Sequence, residues 1–367
     1  MNERYDKLNQ KIKEWNKSGK QDEFLLKSLF AQVNLENAPK VNPNKDFNST
    51  TYNDLSNEKL YMMYESQFNN LSTKELQNLI QETHNRFINS HNLDVTRQVV
   101  VDSDKEQDGV YGYVSGDTNM LFINKYVIDK AKQCSVHRDN FNAENVGKCV
   151  LFTVVHESQH VVQFDNSIKF ALHEEQTKEE KFSGAITNIT NANFFVADKK
   201  NDETYFNQWQ AMYDYHFLEH EANYTATKNL ENMIDDDYKN GMSYHQYVAE
   251  TSLLGLRYMP SLTESNNGKI KTRVQKIENY IKKQVAYFDE NIKNCPMKSE
   301  ILKTVNEYMK VDEKGNSELR KRLFKEINEM DNNCVNSIKA VKEMRKSKNK
   351  KSINDYSYND DFSFNNL

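Results

Sequence analysis

Apolar positions recur at helical spacing from the start of the chain. Tyr5, Leu8, Ile12 and Trp15 share one face, and Phe24, Leu25, Leu29 and Val33 resume the pattern after Gly19. Ala38 to Thr51 carries two prolines among small polar residues and predicts a loop or linker. Two further helices are predicted before residue 92, with Ser56 and Ser72 as N-caps. Ser72-Thr73-Lys74-Glu75 has the capping-box form. The periodicity then changes. Val95 to Asp102 is rich in β-branched residues and predicts a strand. Val110 to Val114 and Met120 to Asn124, joined by Ser-Gly-Asp-Thr-Asn, predict a β-hairpin. Residues 125–133 are helical in pattern. Asn145 to Phe164 predicts a helix so apolar on all sides that it must be buried.

Residues 173–203 are polar and mixed, and helical character returns over 204–232. From 243 to 347 the pattern is of amphipathic helices, broken near Pro260, Pro296 and Gly315. Val274, Ile277, Ile281, Val285 and Phe288 mark one, and Leu319, Leu323, Ile327 and Met330 another. The expected organisation is an N-terminal helical region (1–92), a core (93–235), a C-terminal helical region (236–347) and a polar, fraying tail (348–367). No internal repeat is present.

Composition sharpens this picture. Only 10 Gly and 4 Pro occur in 367 residues, which favours a mostly helical chain. Mean hydropathy is low at −0.89, yet 11% aromatic residues argue against disorder. The net charge of −5 does not favour nucleic acid as a partner. No apolar run approaches a membrane span, and the charged N-terminus lacks the apolar stretch of a Sec-type signal. The expectation is a protein that is cytoplasmic or exported by a non-Sec route, with no membrane partner. Cys134, Cys149, Cys295 and Cys334 form no C-x-x-C pair and are read as reduced thiols, a Cys134–Cys149 disulfide being the alternative. Lys339 to Lys351 holds seven basic residues against one Glu, the pattern of a solvated helix end.

The chemistry concentrates in His156-Glu157-Ser158-Gln159-His160, an H-E-x-x-H inside the apolar helix. Residues i and i+4 lie one above the other on a helix, so two imidazoles reach one ion. Glu157 then flanks the ion, where it can take a proton from water. Residues 153–162 contain no other charged group, and two His and a Glu are costly to bury without a partner such as a divalent cation. A catalytic zinc takes three protein ligands and water. The metzincin continuation is absent, because its Gly and His positions hold Gln163 and Asn166.

A second helix offers Glu219-His220-Glu221-Ala222-Asn223. Here the chain, over residues 94–232, resembles the gluzincin-type metallopeptidases, whose third ligand sits in an E-x-x-A-[DN] helix. The resemblance implies an α+β, predominantly α-helical fold with a zincin-like core, in which a small sheet precedes the active-site helix and helical regions flank both. It implies one Zn²⁺ per chain held by His156, His160 and Glu219, with Glu157 as general base in peptide-bond hydrolysis. Ala222 would permit close helix packing. Asn223 would accept a hydrogen bond from a ligand imidazole, where family members often carry Asp. Strand 120–124 could bind extended substrate backbone, and 166–203 reads as an insertion forming a lid. Tyr224, Tyr244 and His245 are candidate oxyanion donors.

Alternatives stay open on the sequence. Glu221 could replace Glu219 as ligand. His216-Phe217-Leu218-Glu219-His220 also fits the inverted H-x-x-E-H motif, with Glu278 or Glu290 as its distant carboxylate. His84, His91, His137 and His173 are read as surface or loop residues. The expected partner is a protein or peptide substrate, in an effector, toxin or regulatory protease; oligomeric state is not legible. The other reading is a helical scaffold retaining a zincin core without turnover, against which the presence of Glu157 argues.

Overall fold

A computed structural model describes residues 3–17, 52, 55–93, 97–107, 110–114, 120–133, 146–233, 267–293 and 295–330. The expected elements around Phe24–Val33 and Ala38–Thr51, Cys134, His137, Tyr244, His245, Cys334 and the Lys339–Lys351 cluster lie outside them.

The described chain is predominantly helical with one small mixed sheet, an α+β arrangement. In chain order the main elements are α1 (Glu3–Lys17), α2 (Asn57–Met62), α3 (Thr73–Ser90), β1 (Gln98–Asp102), β2 (Gly112–Val114), β3 (Met120–Asn124) and α4 (Lys125–Gln133). Then come α5 (Val146–Leu172), α6 (Lys178–Lys200), α7 (Glu203–Ala211), α8 (Phe217–Met233), α9 (Asn267–Asn291) and α10 (Lys298–Met309), with α11 over 318–330. No helix among the described residues is long and apolar enough to cross a membrane.

Local chemistry starts α3 as expected. The Ser72 hydroxyl accepts from the Glu75 N–H, and the Glu75 carboxylate accepts from the Ser72 N–H at 2.8 Å. A second capping box, Thr177 with Glu180, starts α6. Each contributes about 1 kcal/mol to its helix.

The sheet order is β1-β3-β2, with β1 parallel and β2 antiparallel to β3. This corrects one expectation. The 120–124 strand is the centre of the sheet, its backbone paired on both sides, so it cannot accept a substrate strand. Among the described strands, β2 is an edge.

Helix α5 organises the molecule, and nearly all of its residues are buried. Val146 to Val162 packs in one apolar cluster with α2, α3 and the sheet. Ile168 to Ala171 joins a second cluster with α1, α6, α9, α10 and α11. The polar His156–His160 segment falls where the two clusters meet. Gly147 and Gly184 set the approach of α5 to its neighbours. A Cβ on Gly147 would stand 1.9 Å from the Tyr64 carbonyl oxygen, and one on Gly184 2.4 Å from that of Asn166. Only glycine admits such contacts.

Residues 178–200 are not a lid. They form α6, which buries Phe182, Ala185, Ile186 and Ile189 against α5 and α10. The expected helix over 204–232 is divided. It breaks after Ala211, makes a short 3₁₀ turn at Tyr213–Tyr215, and restarts at Phe217. That break turns α8 back onto α5.

Candidate metal centre

The helical i, i+4 geometry places the His156 and His160 rings together on one face of α5. Glu219, in the first turn of α8, meets them from the opposite side. His156 Nε2 and His160 Nε2 are 3.2 Å apart. Glu219 Oε2 is 3.3 Å from the first, and Oε1 is 3.5 Å from the second. Metal–nitrogen bonds of about 2.0–2.1 Å at tetrahedral angles put neighbouring donors about 3.3 Å apart. The donor atoms are therefore spaced like corners of a coordination tetrahedron, and the set could hold a metal ion.

The protonation pattern supports this more strongly than distance alone. Gln163 Nε2 faces two acceptors, the Leu218 carbonyl and Glu221 Oε2, each at 2.9 Å. The amide can satisfy both only by donating, so Oε1 is the atom turned toward His160 Nδ1, at 2.8 Å. His160 Nδ1 must then carry the proton. On His156, Nδ1 lies 2.9 Å from Asn223 Oδ1, an atom that can only accept. Both Nε2 atoms face each other and the Glu219 carboxylate. Three potential ligand atoms so close, on side chains at most 16% exposed, form a set that a cation between them would satisfy. Asn223 stands one helical turn after Glu219 and within hydrogen-bond distance of His156.

The electrostatics separate the two acids. Burial would raise the Glu219 pKa, but His160, His156 and the Tyr213 hydroxyl outweigh it and hold the carboxyl at about 2. The Tyr213 hydroxyl donates to Glu219 Oε2 at 2.7 Å. Glu157 is pushed up to about 8, chiefly by burial, with Glu219 adding to the rise and His160 and the Val114 N–H opposing it. Glu157 Oε1 stands 4.0 Å from His156 Nε2, beside the three potential ligand atoms rather than among them.

A cavity of about 400 Å³ opens from this centre. The β2 edge and Glu157 form one wall. Ile186, Phe194, Trp209, Tyr213 and Tyr280 give the other an apolar and aromatic lining. His216 also faces the cavity, held neutral by burial with its pKa near 4.

Several sequence expectations are corrected. Glu221 is not at the centre: it faces away, bound to Arg322 at 2.6 Å and to the Ser183 hydroxyl at 2.8 Å. Tyr224 donates to Glu329 at 2.7 Å, away from the cavity, and is not placed as an oxyanion donor. The inverted motif is not assembled. His216 Nε2 lies 3.2 Å from the Trp209 carbonyl and His220 Nε2 3.0 Å from Glu326, while Glu278 pairs with Arg320 and Glu290 is exposed. His84 is fully buried rather than on the surface, 2.7 Å from the Ser158 hydroxyl inside the H-E-x-x-H segment.

Sequence reasoning missed Gln163, Ser183, Tyr213 and Arg322. Gln163 carried a readable signal, since it lies three residues after His160 on the same helix. The others come from separate elements and carried none. No protein-family model, curated protein or solved structure matches this chain.

Proposed function

We propose that the protein is a zinc-dependent peptide hydrolase of gluzincin type. The observation that carries the reading is the convergence of two imidazole nitrogens and a carboxylate at tetrahedral spacing, with a separate buried acid beside them. An N,N,O donor set of borderline softness suits zinc. His156, His160 and Glu219 would hold the ion. When bound, it would lower the pKa of a water and polarise a substrate carbonyl.

The chain's own groups supply the rest. Glu157 takes the proton of the attacking water and returns it to the leaving amine. Its high pKa in the absence of cation falls once a positive charge stands nearby, which brings the carboxylate into the range a base needs. The Tyr213 hydroxyl, which donates to Glu219 Oε2 at 2.7 Å, would hold that carboxylate in its ligating position. The β2 edge along the cavity suits an extended peptide, which favours this substrate class over small esters or amides. The aromatic lining favours an apolar side chain next to the scissile bond.

The test is metal-dependent cleavage of a diverse peptide library, with product ends read by mass spectrometry. Zinc-dependent cleavage lost in Glu157→Gln, with zinc retained, supports the reading. Zinc binding with no cleavage by the unmodified chain would assign it instead to a non-catalytic scaffold.

A further inference from the structure

We infer that Arg322, on the C-terminal helix α11, is a positioning residue for the metal ligand His160, acting through Glu221 and Gln163. The inference rests on reading His156, His160 and Glu219 as ligands.

The steps run over buried or partly buried side chains. His160 Nδ1 donates to Gln163 Oε1 at 2.8 Å. That contact exists in only one of the two orientations of the Gln163 amide. In the flipped orientation the amide NH₂ would face a protonated ring nitrogen, and its oxygen would face the Leu218 carbonyl and the Glu221 carboxylate. The two acceptors on Gln163 Nε2, the Leu218 carbonyl and Glu221 Oε2, each at 2.9 Å, therefore enforce the correct orientation. Glu221 is only 5% exposed, and its carboxylate is held by partners on other elements. Arg322 Nη2 at 2.6 Å supplies the counter-charge, and the Ser183 hydroxyl at 2.8 Å supplies a further donor. Arg322 is itself held from behind, because its Nε donates to Glu326 Oε1 at 2.8 Å. Glu326 in turn faces His220 Nε2 at 3.0 Å.

The consequence concerns a tautomer. A neutral imidazole carries its proton on either nitrogen, and only the Nδ1–H form leaves Nε2 able to bind an ion. Without the Arg322 side chain, the Glu221 carboxylate is no longer held toward Gln163 Nε2, the amide loses one of its two orienting acceptors, and the acceptor on His160 Nδ1 is less firmly fixed. Metal affinity falls. A point-charge view predicts the opposite sign, since deleting a cation near a cation site should tighten binding. The direction of the change therefore separates positioning from field effects.

The experiment uses the full chain, with zinc affinity measured by competition against a chromophoric chelator and Co²⁺ bound as a spectroscopic probe. Arg322→Met is expected to weaken zinc binding about tenfold, and Gln163→Leu about 10–100-fold, each with an altered Co²⁺ visible spectrum. Arg320→Met, on the same helix as Arg322, removes an ion pair with Glu278 of α9 at 2.7 Å, with no route to His160; it should leave zinc affinity and spectrum unchanged. Glu221→Gln combined with Arg322→Met retains an acceptor for Gln163 without a buried charge and should recover most of the affinity. An unchanged or tighter zinc affinity in Arg322→Met overturns the inference. If that variant does not fold, a Gln163→Leu affinity within twofold of the parent overturns it equally. Failure of the parent chain to bind zinc or Co²⁺ would instead refute the metal reading beneath it, whereas zinc binding without proteolysis leaves this inference standing.

Discussion

Acid should weaken this protein through one buried histidine that touches the H-E-x-x-H segment from behind. His84 on α3 is fully buried, with Nδ1 donating to the Ser158 hydroxyl at 2.7 Å, and Ser158 passing its own proton to the Val154 carbonyl at 2.6 Å. Its Nε2 accepts the Arg97 N–H at 3.0 Å. Every site on the ring is used by the neutral form. Burial, with the Arg97 charge adding to it, therefore lowers its pKa to about 3. The unfolded chain binds a proton at this residue below about pH 6.5, and the folded chain does not until about pH 3. Stability from this group is thus complete above pH 6.5 and falls as pH drops. At 1.36 kcal/mol per unit the loss is about 3 kcal/mol by pH 4.5, a large fraction of a typical domain's 5–15 kcal/mol. The assay is urea denaturation with chelator present, at intervals from pH 7.5 to 4.5, for the parent and His84→Gln. Other titrating groups are common to both chains and cancel in the difference. The parent's advantage over the variant should shrink by about 3 kcal/mol across that range. A difference that does not vary with pH would refute the placement of a neutral, fully bonded imidazole at this position.

Other consequences follow from the same geometry. Glu157→Gln should retain zinc within a fewfold and lower kcat/KM by at least about 10²-fold, measured with a peptide substrate found in the library screen. Asn223→Leu removes the acceptor for His156 Nδ1, so zinc affinity should drop about 10–100-fold in chelator competition, whereas Asn223→Asp should hold or improve it. Trp209→Ala opens the aromatic wall of the cavity. It should cut kcat/KM about 10–200-fold for substrates with a large apolar residue at the cleaved bond, with little change for small ones.

The sequence exposed the parts of this structure that repeat at short range. H-E-x-x-H needs only one turn of helix, and Glu219 with Asn223 needs only another, so both halves of the centre were legible before the chain was folded. The Ser72 capping box was legible for the same reason. Strand 120–124 was found, but strand order is a long-range property, and a hairpin pattern alone does not reveal that β1 joins the far side of β3. Helix α6 was obscured because its buried face is built from Ser183, Gly184, Ala185, Thr187 and Asn188, which look polar or small in sequence. Small residues were needed there because α5 passes so close. His84 and Glu221 show a related limit. A polar residue is read as exposed until its partners are known, and those partners, Ser158 and Arg322, lie 74 and 101 positions away. Tyr213 reached the site only because the chain breaks between α7 and α8, which the continuous polar–apolar pattern did not signal.

The most direct measurement is anomalous diffraction at the zinc edge from crystals of the zinc-loaded chain. The account predicts one strong peak, about 2.0–2.2 Å from His156 Nε2, His160 Nε2 and a Glu219 oxygen, with Glu157 outside bonding distance. A peak centred on other residues, or none between those three groups, would contradict it.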